Sequence, residues 1–115
     1  MQTLTEVEHK VIEEKGSTIH LYTCRVGQYR IERDLIEFDS GNTRERLDIY
    51  PEDEYLPNII FNRRRNGQNV HEFKIETVTY GSLSPDELKK VIAGYEHALE
   101  VVEVLNNEFL TKEGK

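Results

Sequence analysis

Four histidines and one cysteine are the residues whose chemistry suits metal binding or nucleophilic attack. His20 and Cys24 are four apart, but on a strand rising about 3.3 Å per residue they would stand roughly 13 Å from each other, too far to share an ion. His9, His71 and His97 have no paired spacing that would complete a three- or four-ligand site, so no metal and no cofactor is expected. His97 reads as a helix-surface residue near Glu96 and Glu100. Cys24, between Thr23 and Arg25 in an apparent strand, reads as a small interior residue, and a lone cysteine forms no internal disulfide.

A serine or cysteine nucleophile needs a base beside it and oxyanion donors in front of it, and no Gly-x-Ser-x-Gly turn is present. Ser82 and Ser84 are explained as turn and cap. The paired carboxylates of Glu13-Glu14 and Glu52-Asp53-Glu54 fall at turns and lack a calcium-loop pattern, which makes them solvated loops. There is no glycine-rich phosphate loop and no dinucleotide fingerprint. No catalytic residue is therefore assigned and the chain is read as a non-enzyme. An enzyme would need a site assembled from scattered residues such as His20, Tyr22, Glu37 and His71.

Two surface features suit a partner instead. Arg63-Arg64-Arg65, followed by Asn66-Gly67, is the concentrated basic feature. At a hairpin tip it would either solubilise the turn or grip phosphate or an acidic groove. Glu96, Glu100 and Glu103 make an acidic row at helical spacing beside Val91, Val101 and Val104. A valine edge bordered by acid offers apolar area and charge selection, although the same valines would equally cover a sheet margin. Arg63, Arg64, Arg65, Glu96, Glu100, Val101, Glu103 and Val104 are the candidate partner-binding residues.

The elements that must position these groups fit one domain over residues 1–115, with 15 Lys and Arg against 22 Asp and Glu and a net charge of -7. That balance repels a nucleic-acid backbone and argues against direct nucleic-acid binding, favouring protein or cationic partners. The most apolar stretch, Val91 to Leu105, is broken by Gly94, Glu96, His97, Glu100 and Glu103, so no membrane span is expected. The first ten residues have neither a basic nor an apolar signal region, and the expected location is the cytoplasm.

Residues 5–80 read as an antiparallel meander of about five to six strands, with turns at Lys15-Gly16-Ser17, Val26-Gly27-Gln28, Asp39-Ser40-Gly41-Asn42, Pro51-Glu52-Asp53-Glu54 and Asn66-Gly67-Gln68. The last turn joins Asn58-Ile59-Ile60-Phe61 to a strand from Val70 through Tyr80. Residues 4–14 suit either a strand or a helical face, with strand favoured. Tyr29 and Ile31 differ in parity from Ile36 and Phe38, which calls for a bulge near Arg33-Asp34 if both pairs are to face inward.

Ser84-Pro85-Asp86-Glu87 supplies an N-cap, proline at the first helical position and a capping-box glutamate, so a helix runs over 84–110, followed by a frayed tail at 111–115. Leu88, Ile92, Tyr95, Leu99, Val102, Asn106 and Phe109 follow a four-three spacing and are expected to line the core. At about 1.5 Å per residue the rod would reach roughly 39 Å and overhang strands of about 17 to 20 Å. The fold class is α+β, a meander sheet braced by one C-terminal helix.

The segment Tyr80-Gly81-Ser82-Leu83-Ser84-Pro85-Asp86-Glu87-Leu88, with Ile92-Ala93-Gly94-Tyr95-Glu96-His97-Ala98-Leu99-Glu100-Val101-Val102, resembles the C-terminal ends of small phage and mobile-element proteins of Gram-positive bacteria. The resemblance covers about a quarter of the chain, and its motif is helix capping plus an apolar stripe. It implies an accessory role such as disabling a host defence protein, as anti-CRISPR proteins do, and carries over no functional residue. The expectation is a non-enzymatic acidic interaction module that inhibits a host nuclease or defence protein. The alternative is a structural or assembly component of a phage or a homo-oligomer joined through the helix.

Overall fold

The computed structural model describes residues 3–65 and 68–110, with side chains throughout except at 62–65, 68–71 and 110. The strands are β1 (Leu4–Glu14), β2 (Ser17–Val26), β3 (Tyr29–Phe38), β4 (Thr43–Pro51), β5 (Asn58–Arg65) and β6 (Gln68–Glu76), followed by helix α1 (Pro85–Leu105). A π-helical turn, Asn106–Leu110, extends α1. The architecture is α+β, with residues 4–14 as a strand, and the meander divides into a four-stranded sheet β1-β2-β3-β4 and a two-stranded ribbon β5-β6. The tail at 111–115 and the tip Asn66-Gly67 lie outside the described residues.

Local chemistry accounts for the hairpins. Glu14 pairs with Ser17 and Val26 with Tyr29, leaving two-residue loops in which Gly16 and Gly27 take positive φ of 90° and 56°, a conformation glycine adopts without steric cost. The last strand stops at Glu76, short of Tyr80. Thr77 to Leu83 instead run past the helix, where the Val78 amide donates to the Tyr95 hydroxyl at 2.9 Å.

β3 keeps an unbroken register from Tyr29 to Phe38 against both neighbours, so the bulge expected near Arg33-Asp34 is absent. The irregularity in this sheet falls in β1, between Glu6 and Glu8. Tyr29 and Ile31 are fully buried on one face, whereas Phe38, on the other face, is 38% exposed. Both parities are tolerated because the helix covers only one end of the sheet, and beyond it neither face is an interior.

The strands are longer than expected, so the rod does not overhang them: β1 has 11 residues, roughly 36 Å at about 3.3 Å per residue, about the length of α1 with its π-helical turn. Cys24, Val26, Tyr29, Ile31 and Ile49, all on one face at one end of the sheet, form the core with Leu56, Ile59, Phe73, Ala98, Val101 and Leu105. At the other end Val11 and Ile12 are exposed. The sheet projects past the helix, and the molecule measures 56 × 33 × 26 Å.

Helix α1 starts as its sequence dictates. Ser84 Oγ accepts from the Glu87 amide at 3.1 Å, and Glu87 Oε1 accepts from the Ser84 amide at 2.9 Å, a closed capping box. Its buried face, however, is Val91, Gly94, Ala98, Val101 and Leu105. The expected core stripe lies one residue further along the helix, and three of its members are exposed: Leu88 at 47%, Ile92 at 50% and Leu99 at 62%. Both stripes have four-three spacing. The one with small residues faces inward because a Cβ on Gly94 would stand 2.3 Å from the Tyr55 carbonyl oxygen, so only glycine permits that approach.

Candidate functional site: an acid-rimmed groove between the start of β1 and the end of α1

The capping box sets the start of α1, and the small residues at 94 and 98 let it lie close to the core. Together these turn one flank of the helix toward the first residues of β1. Thr3 and Leu4 there meet Glu100, Glu103, Val104, Asn107 and Glu108 around a groove of about 330 Å³. Leu4 and Val104, both half-buried against the core, supply apolar floor, and Glu100 and Glu103 stand exposed at the rim. An apolar floor edged by carboxylates suits the aliphatic stem and charged head of a lysine or arginine.

A second groove, about 380 Å³, adjoins the first and shares Leu4 and Glu108 with it. Glu6, Tyr22, Cys24, Arg33, Glu45 and Leu47 line its sheet wall, and Phe61 and Phe109 close it. Arg33 pairs with Glu45 and its guanidinium lies 5.3 Å from the Tyr22 ring centroid. Cys24 is buried, as expected of an interior residue, and burial pushes its thiol pKa up, followed by the nearby Glu6 carboxylate. A thiol so placed is held protonated, the opposite of what nucleophilic activation requires.

Of the sequence-derived candidates, Glu100, Glu103 and Val104 converge on the first groove. Glu96 is exposed further up the helix. Val101 is a correction: it is fully buried in the core, because it belongs to the inward stripe of α1, and offers no surface to a partner. Arg63, Arg64 and Arg65 form the end of β5 in the backbone, and their side chains lie outside those described. Thr3, Leu4, Asn107 and Glu108 escaped the sequence reading because nothing local marks them; only the fold brings the two ends of the chain together.

His97 is likewise more than a surface residue. Its Nε2 accepts from the Gln28 amide at 3.0 Å, its ring stacks on Tyr29 at 5.9 Å, and its Nδ1 faces Glu100 Oε1 at 3.9 Å. It ties the β2–β3 turn to the helix and orients one rim carboxylate. The turn at Glu52-Asp53-Glu54 is also structural in part. Glu52 pairs with Arg25, and Asp53 Oδ1 accepts from the Tyr55 amide at 2.8 Å, fixing the segment that presses on Gly94.

The scattered residues of the enzyme alternative partly converge. On the projecting end of the sheet, His20 Nε2 lies 3.1 Å from Glu37 Oε1, and its Nδ1 lies 3.4 Å from His9 Nε2. Tyr22 stacks on His9 at 4.2 Å between centroids. The His20 side chain is 22% exposed and that of Glu37 54%, so this pair meets at the sheet surface, while Tyr22 also lines the second groove. The His71 side chain lies outside those described. Among the described residues, no group of three or more His, Cys, Asp or Glu could hold a metal ion, and no helix is long and apolar enough to cross a membrane.

Compared with known proteins, the chain matches no family model, no curated protein and no solved structure.

Proposed function

We propose that the chain is a non-enzymatic, acidic protein-interaction module that receives a basic segment of another protein in the groove between β1 and α1. The observation that carries this reading is the placement of Glu100 and Glu103 on the rim of a groove floored by Leu4 and Val104. The net charge of -7 draws cationic partners toward the whole molecule, and the groove selects where they dock. A host nuclease or defence protein, whose nucleic-acid-binding surface is basic, is the partner class that this charge and the C-terminal resemblance favour.

The test is the binding of a fluorescent hexa-arginine peptide, followed by anisotropy across a salt series. The double variant Glu100→Gln/Glu103→Gln should weaken binding by roughly tenfold, while Glu13→Gln/Glu14→Gln at the β1–β2 tip, with the same change of charge, should alter it by less than about twofold. Equal losses from the two variants would mean that net charge alone attracts the peptide and would defeat the groove reading.

A further inference from the structure

We propose that two copies of this chain associate through α1, antiparallel, along the strip formed by Leu88, Ile92, Tyr95, Leu99 and Val102. The strip's apolar residues lie outside the acid-rimmed groove, and the two surfaces meet at Glu103. A helix covering a sheet needs one apolar stripe, and α1 already buries Val91, Gly94, Ala98, Val101 and Leu105. The second stripe leaves Leu88, Ile92 and Leu99 between 47% and 62% exposed, with Tyr95 half-buried and Val102 half-buried against the core, and Val78, 46% exposed and bonded through its amide to the Tyr95 hydroxyl, extends the apolar surface beside it.

The spacing of the strip, four-three-four-three, is that of a coiled-coil seam, in which each apolar side chain enters a gap between residues of an opposing helix. A second α1 supplies the same periodicity, so the two strips can interdigitate. The flanking charges set the direction. On one side of the seam lie Val91, Ala98 and Leu105, all buried beneath the helix; on the other lie the exposed Lys89, Glu96 and Glu103.

In an antiparallel pair, like flanks face each other. Setting Ile92 against Tyr95 of the second copy, and Leu88 against Leu99 of the second copy, brings Lys89 beside Glu96 of the second copy, and the two-fold axis repeats the pair. A parallel pair would turn the charged flank of each helix toward the buried flank of the other, leaving Lys89 and Glu96 without complements. Charge complementarity therefore selects the antiparallel register. A seam of two heptads sits at the small end of specific interfaces.

Sedimentation of the full chain from low to high micromolar concentration tests this. The expected result is a monomer–dimer equilibrium that Leu99→Asn weakens by at least about thirtyfold, with an unchanged far-ultraviolet spectrum because Leu99 lies outside the core. Lys89→Glu and Glu96→Lys should each weaken association by roughly tenfold, and the double reversal should restore it. A strict monomer at high micromolar concentration, indifference to Leu99→Asn, or no recovery in the double reversal would overturn the proposal. Leu99→Asn leaves net charge and groove intact, so its arginine-peptide binding should match the wild type, and the two proposals fail independently.

Discussion

The carbonyl oxygen of Tyr55 lies 2.3 Å from where a Cβ on Gly94 would stand, so the backbone of the β4–β5 connection rests directly on the helix. This contact fixes which side of α1 faces the core. In a free helix Gly94→Ala would gain about 1 kcal/mol of propensity. Here the methyl group meets backbone rather than a movable side chain, and a net destabilisation of about 1–3 kcal/mol is expected in urea unfolding. A gain in stability would show that the connection yields and does not set the rotation.

The two apolar stripes of α1 should respond oppositely to polar substitution. Val101→Asp places a carboxylate in a fully buried position and should cost roughly 3 kcal/mol or more, enough to unfold much of the population. Leu99→Asn should change monomer stability by no more than about 0.5 kcal/mol. Chemical denaturation at a concentration below dimerisation makes the comparison, and equal losses would contradict the observed rotation.

Tyr29 is fully buried and its hydroxyl donates to the Pro57 carbonyl at 2.6 Å, joining β3 to the start of β5. Tyr29→Phe leaves that carbonyl without its donor and should cost about 1–3 kcal/mol. Burial, followed by Tyr80 and Tyr95, raises the phenol pKa above its ordinary value. A group whose folded pKa is raised contributes stability in full below its unfolded pKa, about 10 for tyrosine, and loses it as pH rises toward the folded value. Wild-type stability should therefore fall above roughly pH 10 more steeply than that of Tyr29→Phe. Parallel alkaline slopes would remove the hydroxyl from the account.

At the helix start, Ser84→Ala should cost about 1 kcal/mol of stability by removing the cap to the Glu87 amide. The Glu87 carboxyl is held below its ordinary pKa, first by the backbone hydrogen bond from Ser84 and then by the Ser84 side chain. Its contribution is present above the unfolded pKa and is lost as pH falls through the lower folded value. Glu87→Gln should flatten this part of the acid unfolding profile, measured by circular dichroism. An unchanged profile would mean that the box does not persist in solution.

Hairpins at Gly16 and Gly27 and the helix start at Ser84 were legible in the sequence because each is decided by residues in contact along the chain. The rotation of α1 was not, since Leu88-Ile92-Tyr95-Leu99 and Val91-Gly94-Ala98-Val101 carry the same period and differ by one position. Side-chain size favoured the first stripe. The Tyr55 backbone, distant in sequence, required the second. Three of the seven groove residues were legible for the same reason: Glu100, Glu103 and Val104 share a helix, whereas Leu4 comes from β1, distant in sequence.

The sequence by itself determined the element types, the turns, the helix cap and the acidic balance, since these depend on local sterics, local hydrogen bonds and the sum of charges. The tertiary structure decided which helix face is interior, which end of the sheet is bare, and that Leu4 and Val104 share a groove floor. Those outcomes depend on close packing between distant segments, where a single backbone oxygen against Gly94 outweighs the larger apolar area of the competing face.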